Sequence, residues 1–229
     1  MTITIHNDLI QGSDEWHAAR CGLLTASEMK LVLTPTLKVA DNTKTRAHVW
    51  ELAAQRITKY VEPTYIGDAM LRGHEDEILA RLLYSERYAP VEETGFVTNN
   101  KWGFTLGCSP DGLVGDDGMI ECKSRCQKYQ VQTIVEEYRE GLIPEEYALQ
   151  VQTALLVTGR EWCDFISYSG GLPMAKIRVL PDPATQAAII EAAAKFEARI
   201  CEAIADFHAA IEARGYPPTE RRIEEEMVI

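Results

Sequence analysis

The stretch that decides the fold is Ser109-Pro110-Asp111-Gly112, followed ten residues after the aspartate by Glu121-Cys122-Lys123. Short apolar and glycine-containing segments surround both parts, which is typical of buried strands bounded by turns. The spacing predicts two neighbouring strands joined by a short loop, with Asp111 just past the end of one and Glu121 within the next. A hairpin of this kind brings the two carboxylates together in space.

These residue types suit metal-dependent cleavage of a phosphodiester. Mg²⁺ is commonly held by one or two carboxylates, and two ions can clamp the attacking and leaving oxygens. Alternation along the strand puts Glu121 and Lys123 on one face and leaves the Cys122 backbone carbonyl available as a ligand. Lys123 can orient a water, assist its deprotonation or stabilise the phosphate. A simple turn at Pro110-Asp111-Gly112 and a surface Glu–Lys pair are the alternative interpretation.

The rest of the chain predicts an α/β fold with a central mixed β-sheet flanked by helices. Strands are expected near 91–98, 103–108, 118–123, 162–169 and 174–180, and longer helices near 44–61, 70–87, 129–140, 145–157 and 182–213. Ser13 is a plausible N-cap for a short helix, and Thr25 to Glu28 form a capping box that starts another. We expect one nuclease domain over 1–229. Its core spans about 66–180, and the N-terminal helices of 13–61 and the C-terminal helix are additions to it.

Two helices have a predicted inward face. In the helix at 70–87 that face consists of Ile78, Leu79, Leu82 and Leu83, and in the helix at 182–213 it runs from Ile189 to Ile211. The last eleven residues form a charged tail.

Composition excludes several classes of protein. Of the 229 residues 46% are hydrophobic, too many for a disordered chain, and no run is long enough to span a bilayer. The first ten residues lack the pattern of a secretory signal, so we expect a cytoplasmic protein. The six cysteines lack zinc-site spacing and are expected to be reduced thiols. The net charge of −12 is modest evidence against nucleic-acid binding, although a locally basic channel remains compatible with it.

The chain resembles the phage lambda exonuclease family, the viral and prophage alkaline exonucleases within the PD-(D/E)xK nuclease superfamily. The anchors of the resemblance occur in order along residues 12–160: Asp14 to Arg20, Gly22 to Glu28, Gly73-His74-Glu75, Cys108 to Leu113, Glu121-Cys122-Lys123 and Gln150-Val151-Gln152. Related RecB-like nucleases often carry a tyrosine four residues after the helix glutamine, where this chain has Ala154.

The resemblance implies a restriction-endonuclease-like core and an Mg²⁺-dependent 5′-to-3′ exonuclease on linear double-stranded DNA. Such an enzyme releases mononucleotides and leaves a 3′ overhang for recombination with a single-strand annealing protein. Two Mg²⁺ ions are expected, with Mn²⁺ as a substitute. The family forms a ring-shaped homotrimer around DNA, which would let an acidic protein hold its substrate. The enzyme would be encoded by a phage or prophage.

The resemblance also implies roles for particular residues. Asp111, Glu121 and the Cys122 carbonyl would bind metal, and Lys123 would be catalytic. Glu75 would be a further acid near the second metal, and Gln150 would contact the scissile region or a metal-bound water. A second group would bind the DNA end: Arg20, Ser27 and Ser109 around the 5′-phosphate, and Trp16 against the bases.

Three other functions stay open at this point. A restriction-like endonuclease uses the same core, although no separate sequence-reading module is evident. A non-catalytic DNA-binding protein on the same scaffold would be expected to have lost the Asp, Glu or Lys, and all three are present. An unrelated phosphohydrolase acting on nucleotides would not need Trp16 or Arg20.

Overall fold

The computed structural model describes residues 2–63 and 67–221, which form a mixed α/β fold. The helices are α1 (Asp14–Arg20), α2 (Thr43–Thr58), α3 (Asp68–Arg87), α4 (Gln127–Glu140), α5 (Glu145–Thr158) and α6 (Pro183–Arg214), and a 3₁₀ segment spans Ala26–Leu31. The strands are β1 (Ile3–His6), β2 (Leu24–Thr25), β3 (Phe96–Asn99), β4 (Leu106–Cys108), β5 (Gly112–Val114), β6 (Gly118–Ser124), β7 (Trp162–Tyr168) and β8 (Ala175–Val179). Residues 222–229, most of the predicted charged tail, lie outside the described part.

The strands form two four-stranded sheets. The first has the order β1-β3-β4-β2, and the second has the order β5-β6-β7-β8. Both sheets are mixed, because β2 runs parallel to β4 and β6 runs parallel to β7 while the other neighbours are antiparallel. The predicted mixed α/β architecture is confirmed, with the strands divided between two sheets.

The division falls at the Ser-Pro-Asp motif, between β4 and β5. Pro110 has no backbone N–H and cannot donate to a ladder. The antiparallel partner of β6 is β5, with Gly112 opposite Ile120, so the expectation that the strand ending at Cys108 pairs with β6 was wrong. Gly112 is required for space, since a Cβ there would lie 2.1 Å from Cγ1 of Val91. This close approach lets β5 follow directly after Asp111.

The N-terminal segment supplies strands as well as helices. β1 pairs with β3 along four residues, and the two-residue β2 pairs with β4. Neither strand was predicted, and β2 is too short to show a periodic pattern. The consequence is that the segment between β1 and the 3₁₀ segment is built into the first sheet beside β4.

The parallel pair β6 and β7 forms the centre of the second sheet. Parallel strands require a crossover connection, which here consists of α4 and α5. α5 follows Pro144 and ends at Gly159 with a left-handed φ of 68°, as the sequence predicts. The helix is apolar and mostly buried, and it packs against the 3₁₀ segment, α6 and both sheets. It therefore holds the two sheets together.

The long helix α6 packs along α2. Its predicted inward face is confirmed for Ile189, Phe196 and Ile200, which are buried, whereas Phe207 and Ile211 are exposed. A helix of 32 residues is about 48 Å long, more than the body of the fold covers. The last turns of α6 therefore carry apolar side chains that the other described residues do not bury.

The predicted inward face of α3 is wrong. Leu79 and Leu82 are exposed, while Ala80 and Tyr84 are fully buried against β6 and β7. The buried hydroxyl of Tyr84 donates a hydrogen bond of 2.7 Å to Asp164, which explains why a polar aromatic side chain faces the core. The helix is thus rotated relative to the prediction, so its acidic residues face differently as well.

All six cysteines are free thiols, as predicted. Cys108, Cys122 and Cys163 are buried, whereas Cys126 and Cys201 are exposed. Among the helices of residues 2–63 and 67–221, none combines the length and the apolar character that a membrane crossing requires.

Candidate active site

Most of the predicted site residues line one pocket of about 190 Å³. It draws residues from both sheets, from α1, α3 and α5, and from the 3₁₀ segment. Its lining consists of Gln11, Trp16, Arg20, Thr25, Ala26, Ser27, Glu77, Cys108, Ser109, Asp111, Glu121, Lys123, Gln150 and Ala154. The pocket therefore joins the acidic motif to the N-terminal segment although about a hundred residues separate them in sequence.

Asp111 is held by the backbone of β6. Its Oδ2 accepts a hydrogen bond of 2.6 Å from the Cys122 N–H. The N–H and C=O of one residue point to the same side of a strand, so the Cys122 carbonyl also faces Asp111. The Cys122 thiol itself is fully buried. A carboxylate and a backbone carbonyl thus lie at the same edge of β6, as the alternation of the Glu121-Cys122-Lys123 sequence predicts.

Glu121 and Lys123 lie side by side on the face of β6 opposite to the Cys122 side chain. Lys123 Nζ is 2.5 Å from Oε1 of Glu121, whose side chain is 3% exposed. The Gln150 side-chain amide on α5 donates to the same Oε1. Gln150, the last of the sequence anchors, therefore contacts the acidic core directly.

α3 contributes Glu77 to the pocket. Glu75, which the sequence analysis singled out, is exposed on α3 and is not among the lining residues. The rotation of α3 explains the difference, because the buried positions Ala80 and Tyr84 place residue 77 on the inward face and residue 75 outside it. The same face includes Asp76, which accepts a hydrogen bond from Ser124 of β6.

The three pocket carboxylates have raised pKa values. Burial, reinforced by the charges of Asp111 and Glu121, raises the pKa of Glu77 to about 8. Burial raises the pKa of Glu121 to about 7 and also raises that of Asp111, in both cases against the attraction of Lys123. Burial acts to lower the pKa of Lys123, but Glu121 and Asp111 outweigh it and raise that pKa, so Lys123 keeps its proton.

The donor set has the chemistry of a divalent-cation site. Glu77, Asp111, Glu121 and the Cys122 carbonyl all offer oxygen, which Mg²⁺ prefers. Within the described residues these groups are not gathered around one point as a preformed metal centre, since Glu121 is engaged by Lys123 and Gln150. Three carboxylates face one lysine in the pocket, and burial raises the pKa values of all three because it disfavours their charged forms. A bound cation would stabilise those charged forms, so the residues fit a divalent metal ion.

A half-buried arginine lies at the other end of the pocket. The Arg20 guanidinium stacks on the Trp16 ring at 4.1 Å and approaches Ser109 Oγ at 3.4 Å and Thr25 Oγ1 at 3.3 Å. Burial lowers the pKa of Arg20 from its usual value, and Glu28 opposes that shift. Among the described residues no carboxylate forms an ion pair with it within 4.0 Å. A half-buried guanidinium beside hydroxyls, with no ion pair among the described residues, has the chemistry of an anion site.

The local sequence explains how this arginine is held. Ser13 caps α1 and accepts a hydrogen bond from the Trp16 N–H. The Trp16 indole N–H then donates to Gly95 O at 3.0 Å and to Ser109 Oγ at 2.9 Å. These hydrogen bonds fix the Trp16 ring against the Arg20 guanidinium. The sequence analysis expected Trp16 to contact DNA bases and did not include this role.

Ser27 reaches the same end of the pocket through the predicted capping box. The Thr25 N–H donates to Glu28 Oε2 at 3.0 Å, and Thr25 Oγ1 lies 3.3 Å from Ser27 Oγ. Arg20, Ser27 and Ser109 are therefore brought together, as the resemblance implies. Gln11 and Glu77 also line the pocket, and the sequence analysis did not name them. Thr25 lines it as well; the sequence analysis identified Thr25 only as the start of the capping box.

The comparison with protein families gives one match. Residues 15–161 match the YqaJ-like viral recombinase domain. That segment covers more than half of the chain and includes almost all of the pocket. Among curated proteins no match was found.

Solved structures give a second line of similarity. An alkaline exonuclease, LHK-Exo, from Laribacter hongkongensis is 34% identical, with a TM-score of 0.76, and the match covers 88% of this chain and 99% of that one. LHK-Exo in complex with dAMP matches with a TM-score of 0.77 over the same shares of the two chains, again at 34% identity.

A phage-related exonuclease from Haemophilus somnus 129PT shares the fold, with a TM-score of 0.64 at 14% identity over 81% of this chain and 96% of that one. The family match and the 34% identity with LHK-Exo agree with the order of the sequence motifs and with the pocket that they form. The chain belongs to the YqaJ-like viral recombinases of the lambda exonuclease family.

Proposed function

We propose that this member of an exonuclease family is a Mg²⁺-dependent 5′-to-3′ exonuclease on linear double-stranded DNA. It would release mononucleotides from the 5′-ended strand and leave a 3′ single-stranded overhang. The observation that supports this proposal most directly is the pocket itself, which has an unpaired guanidinium at one end and three carboxylates with a lysine at the other.

This arrangement favours a particular substrate end. A terminal 5′-phosphate at Arg20, Ser27 and Ser109 places the next phosphate of that strand towards Asp111 and Glu121. Because one pocket of about 190 Å³ contains both groups, the cut link is the first one from the 5′ end. The product is then a 5′-mononucleotide, and the crystallisation of LHK-Exo with dAMP is consistent with such a product.

The roles of the catalytic side chains follow from their contacts. Lys123 is protonated, so it stabilises negative charge on the phosphate and does not act as a free base. Gln150 orients Glu121 through their hydrogen bond, and the Cys122 N–H fixes Asp111. Bound Mg²⁺ would supply Lewis-acid activation of the phosphate and of the attacking water, held by Glu77, Asp111, Glu121 and the Cys122 carbonyl. We propose two ions, with Mn²⁺ able to replace Mg²⁺.

The proposal extends to assembly and context. A homotrimeric ring around DNA would explain how a chain of net charge −12 keeps its substrate. Exposed Leu71, Leu79 and Leu82 on α3 support an association surface. The enzyme would be encoded by a phage or prophage, act in the bacterial cytoplasm as a single nuclease domain, and pass its overhang to a single-strand annealing protein.

The test is digestion of one linear duplex, labelled at the 5′ end of one strand and at the 3′ end of the other, beside a closed circle and free nucleotides. Each substrate is incubated with Mg²⁺ and with EDTA. We expect release of the 5′ label as mononucleotide, an intact circle, unchanged nucleotides and no activity in EDTA. A cut circle would establish an endonuclease, and hydrolysed nucleotides a phosphohydrolase. Binding of the duplex without cleavage in Mg²⁺ or Mn²⁺ would establish a binding protein.

A further inference from the structure

A second pocket, of about 290 Å³, adjoins the candidate active site. We call it the Arg125 pocket, and it is lined by Arg72, Ser124, Arg125, Cys126, Tyr129, Glu146 and Tyr147. We propose that it binds a backbone phosphate of the digested DNA strand, on the 3′ side of the link that is cut. This inference rests on the proposed nuclease function and adds a subsite to it.

Arg125 directly follows the last residue of β6, and this position indicates which part of the DNA strand it can reach. Glu121, Lys123 and Arg125 alternate onto one side of the extended chain, and the Arg125 N–H continues the pairing with β7 by donating to Tyr168 O at 2.7 Å. The Cα of Arg125 therefore lies about 13 Å beyond that of Glu121. A strand that enters at Arg20 and is cut beside Glu121 continues in this direction, so its second or third internucleotide phosphate reaches the Arg125 pocket.

Tyr147 connects the two pockets. Lys123 Nζ lies 5.7 Å from the centre of its ring, and the Arg125 guanidinium carbon lies 5.2 Å from that centre. One aromatic ring thus lies against a cation of each pocket.

Arg125 has the properties of a phosphate ligand. Its side chain is 8% exposed. Its Nη1 donates to Glu146 Oε1 at 2.6 Å and to the Tyr147 hydroxyl at 2.7 Å. Its buried Nε has no hydrogen-bond partner among the described residues. A buried donor without a partner is costly, and a phosphate oxygen would provide the missing acceptor.

The surroundings add positive potential. Arg72 lies across the pocket on α3, with its Nη2 near Cys126 Sγ at 3.9 Å. Cys126 is the N-cap of α4 and makes no side-chain capping bond, so the first N–H groups of this 14-residue helix remain open to an anion. Glu146 is the only acid among the lining residues, and its side chain is 60% exposed at the rim. Asp76 adds a second carboxylate next to the pocket, because it accepts a hydrogen bond from the lining residue Ser124. Two guanidiniums and a helix N-terminus therefore offset the two carboxylates.

The alternative role for Arg125 is structural, as an internal ion pair between β6 and α5. The two roles differ in whether the effect of the side chain depends on one particular DNA phosphate. Neutral methylphosphonates placed singly at the second, third or fourth link from the 5′ end remove one charge each and leave the first, scissile link intact. The measured quantity is kcat/KM for release of the first nucleotide.

For the wild type we expect about a 10-fold loss of kcat/KM at one of these links, the size of one charge-assisted contact. Arg125→Gln should lose a similar factor on the unmodified duplex and show no further loss at that link, because the two changes remove the same interaction. The slope of log(kcat/KM) against log[salt] should also be shallower for this variant than for the wild type, by about 0.7–0.9. We expect a similar but smaller pattern for Arg72→Gln. Because Arg72 is exposed, this variant should fold, so it tests the proposal even if Arg125→Gln does not fold.

Arg87→Gln is the matched control, since Arg87 also lies on α3 and is 66% exposed away from both pockets. It should behave as the wild type. Equal losses at every link in Arg125→Gln, Arg72→Gln and wild type would overturn the subsite while leaving the nuclease intact. Failure of the wild type to cut the unmodified duplex would instead overturn the proposed function, and the subsite with it.

Discussion

Glu75 and Glu77 provide a matched pair of residues, two positions apart on α3. Glu77 lines the pocket, whereas Glu75 is exposed. We expect Glu77→Gln to lower kcat/KM by about 100-fold or more, because the proposed metal-binding carboxylate would be lost and with it several kcal/mol of charge stabilisation. Glu75→Gln should stay within a few-fold of wild type. Steady-state digestion of linear duplex measures both, and a larger loss in Glu75→Gln would contradict the site.

Glu77 also predicts a pH dependence of stability in the metal-free protein. Its pKa is raised by burial to about 8 in the fold, against about 4.3 in an unfolded chain. The folded state therefore binds more protons between those values, and its stability falls as pH rises towards 8. In EDTA, Glu77→Gln should raise Tm at pH 9 by at least about 2–4 °C, because even a fifth of the roughly 5 kcal/mol that this pKa difference represents is about 1 kcal/mol. The gain should vanish near pH 4. A gain independent of pH would show that the carboxylate is not the cause.

We expect Arg20 to determine whether the enzyme responds to a terminal phosphate. The wild type should prefer a 5′-phosphorylated duplex over a 5′-hydroxyl duplex by about 10–100-fold, the range of hydrogen bonds to a charged group. Arg20→Gln should remove that preference while the protein stays folded by circular dichroism. A wild type that digests both ends equally would show that the Arg20 cluster does not bind the phosphate.

At the scale of elements, α3 shows why part of the site escaped sequence reasoning. Apolar residues occur on most of its circumference, so periodicity alone does not fix which side faces inward. The choice is made by tertiary contacts of Ala80 and Tyr84. By contrast, the shared face of Glu121 and Lys123 was predicted from strand alternation. Asp111 was predicted to lie near them, and it does so next to the β5–β6 pair instead of the predicted hairpin. β5 was missed because three residues, one of them glycine, carry no detectable pattern.

The exposed face of α3 carries its own prediction. Leu79 and Leu82 are 49% and 61% exposed, which favours burial in an assembly of chains. We expect Leu79→Glu with Leu82→Glu to convert a larger species into monomer in light scattering after size exclusion. Glu86→Lys, at an exposed position later on the same helix, is the control. An unchanged mass for the double variant would remove this surface from the proposed ring.

The whole molecule combines an acidic exterior with a few inward cations. The excess of 35 acidic over 23 basic side chains is compatible with DNA chemistry because Arg20, Lys123 and Arg125 are concentrated in two adjoining pockets. Net charge describes the average surface, whereas these pockets concentrate positive charge locally. The motifs were the better guide because they report local chemistry.

The two exposed thiols give the molecule a built-in footprinting pair. Cys126 lies at the rim of the Arg125 pocket, and Cys201 is on α6, outside both pockets. An alkylating reagent should label both in the free protein, while bound duplex should shield Cys126 and leave Cys201 as an internal standard. Mass spectrometry of the native sequence would then trace the path of the strand without any engineered probe.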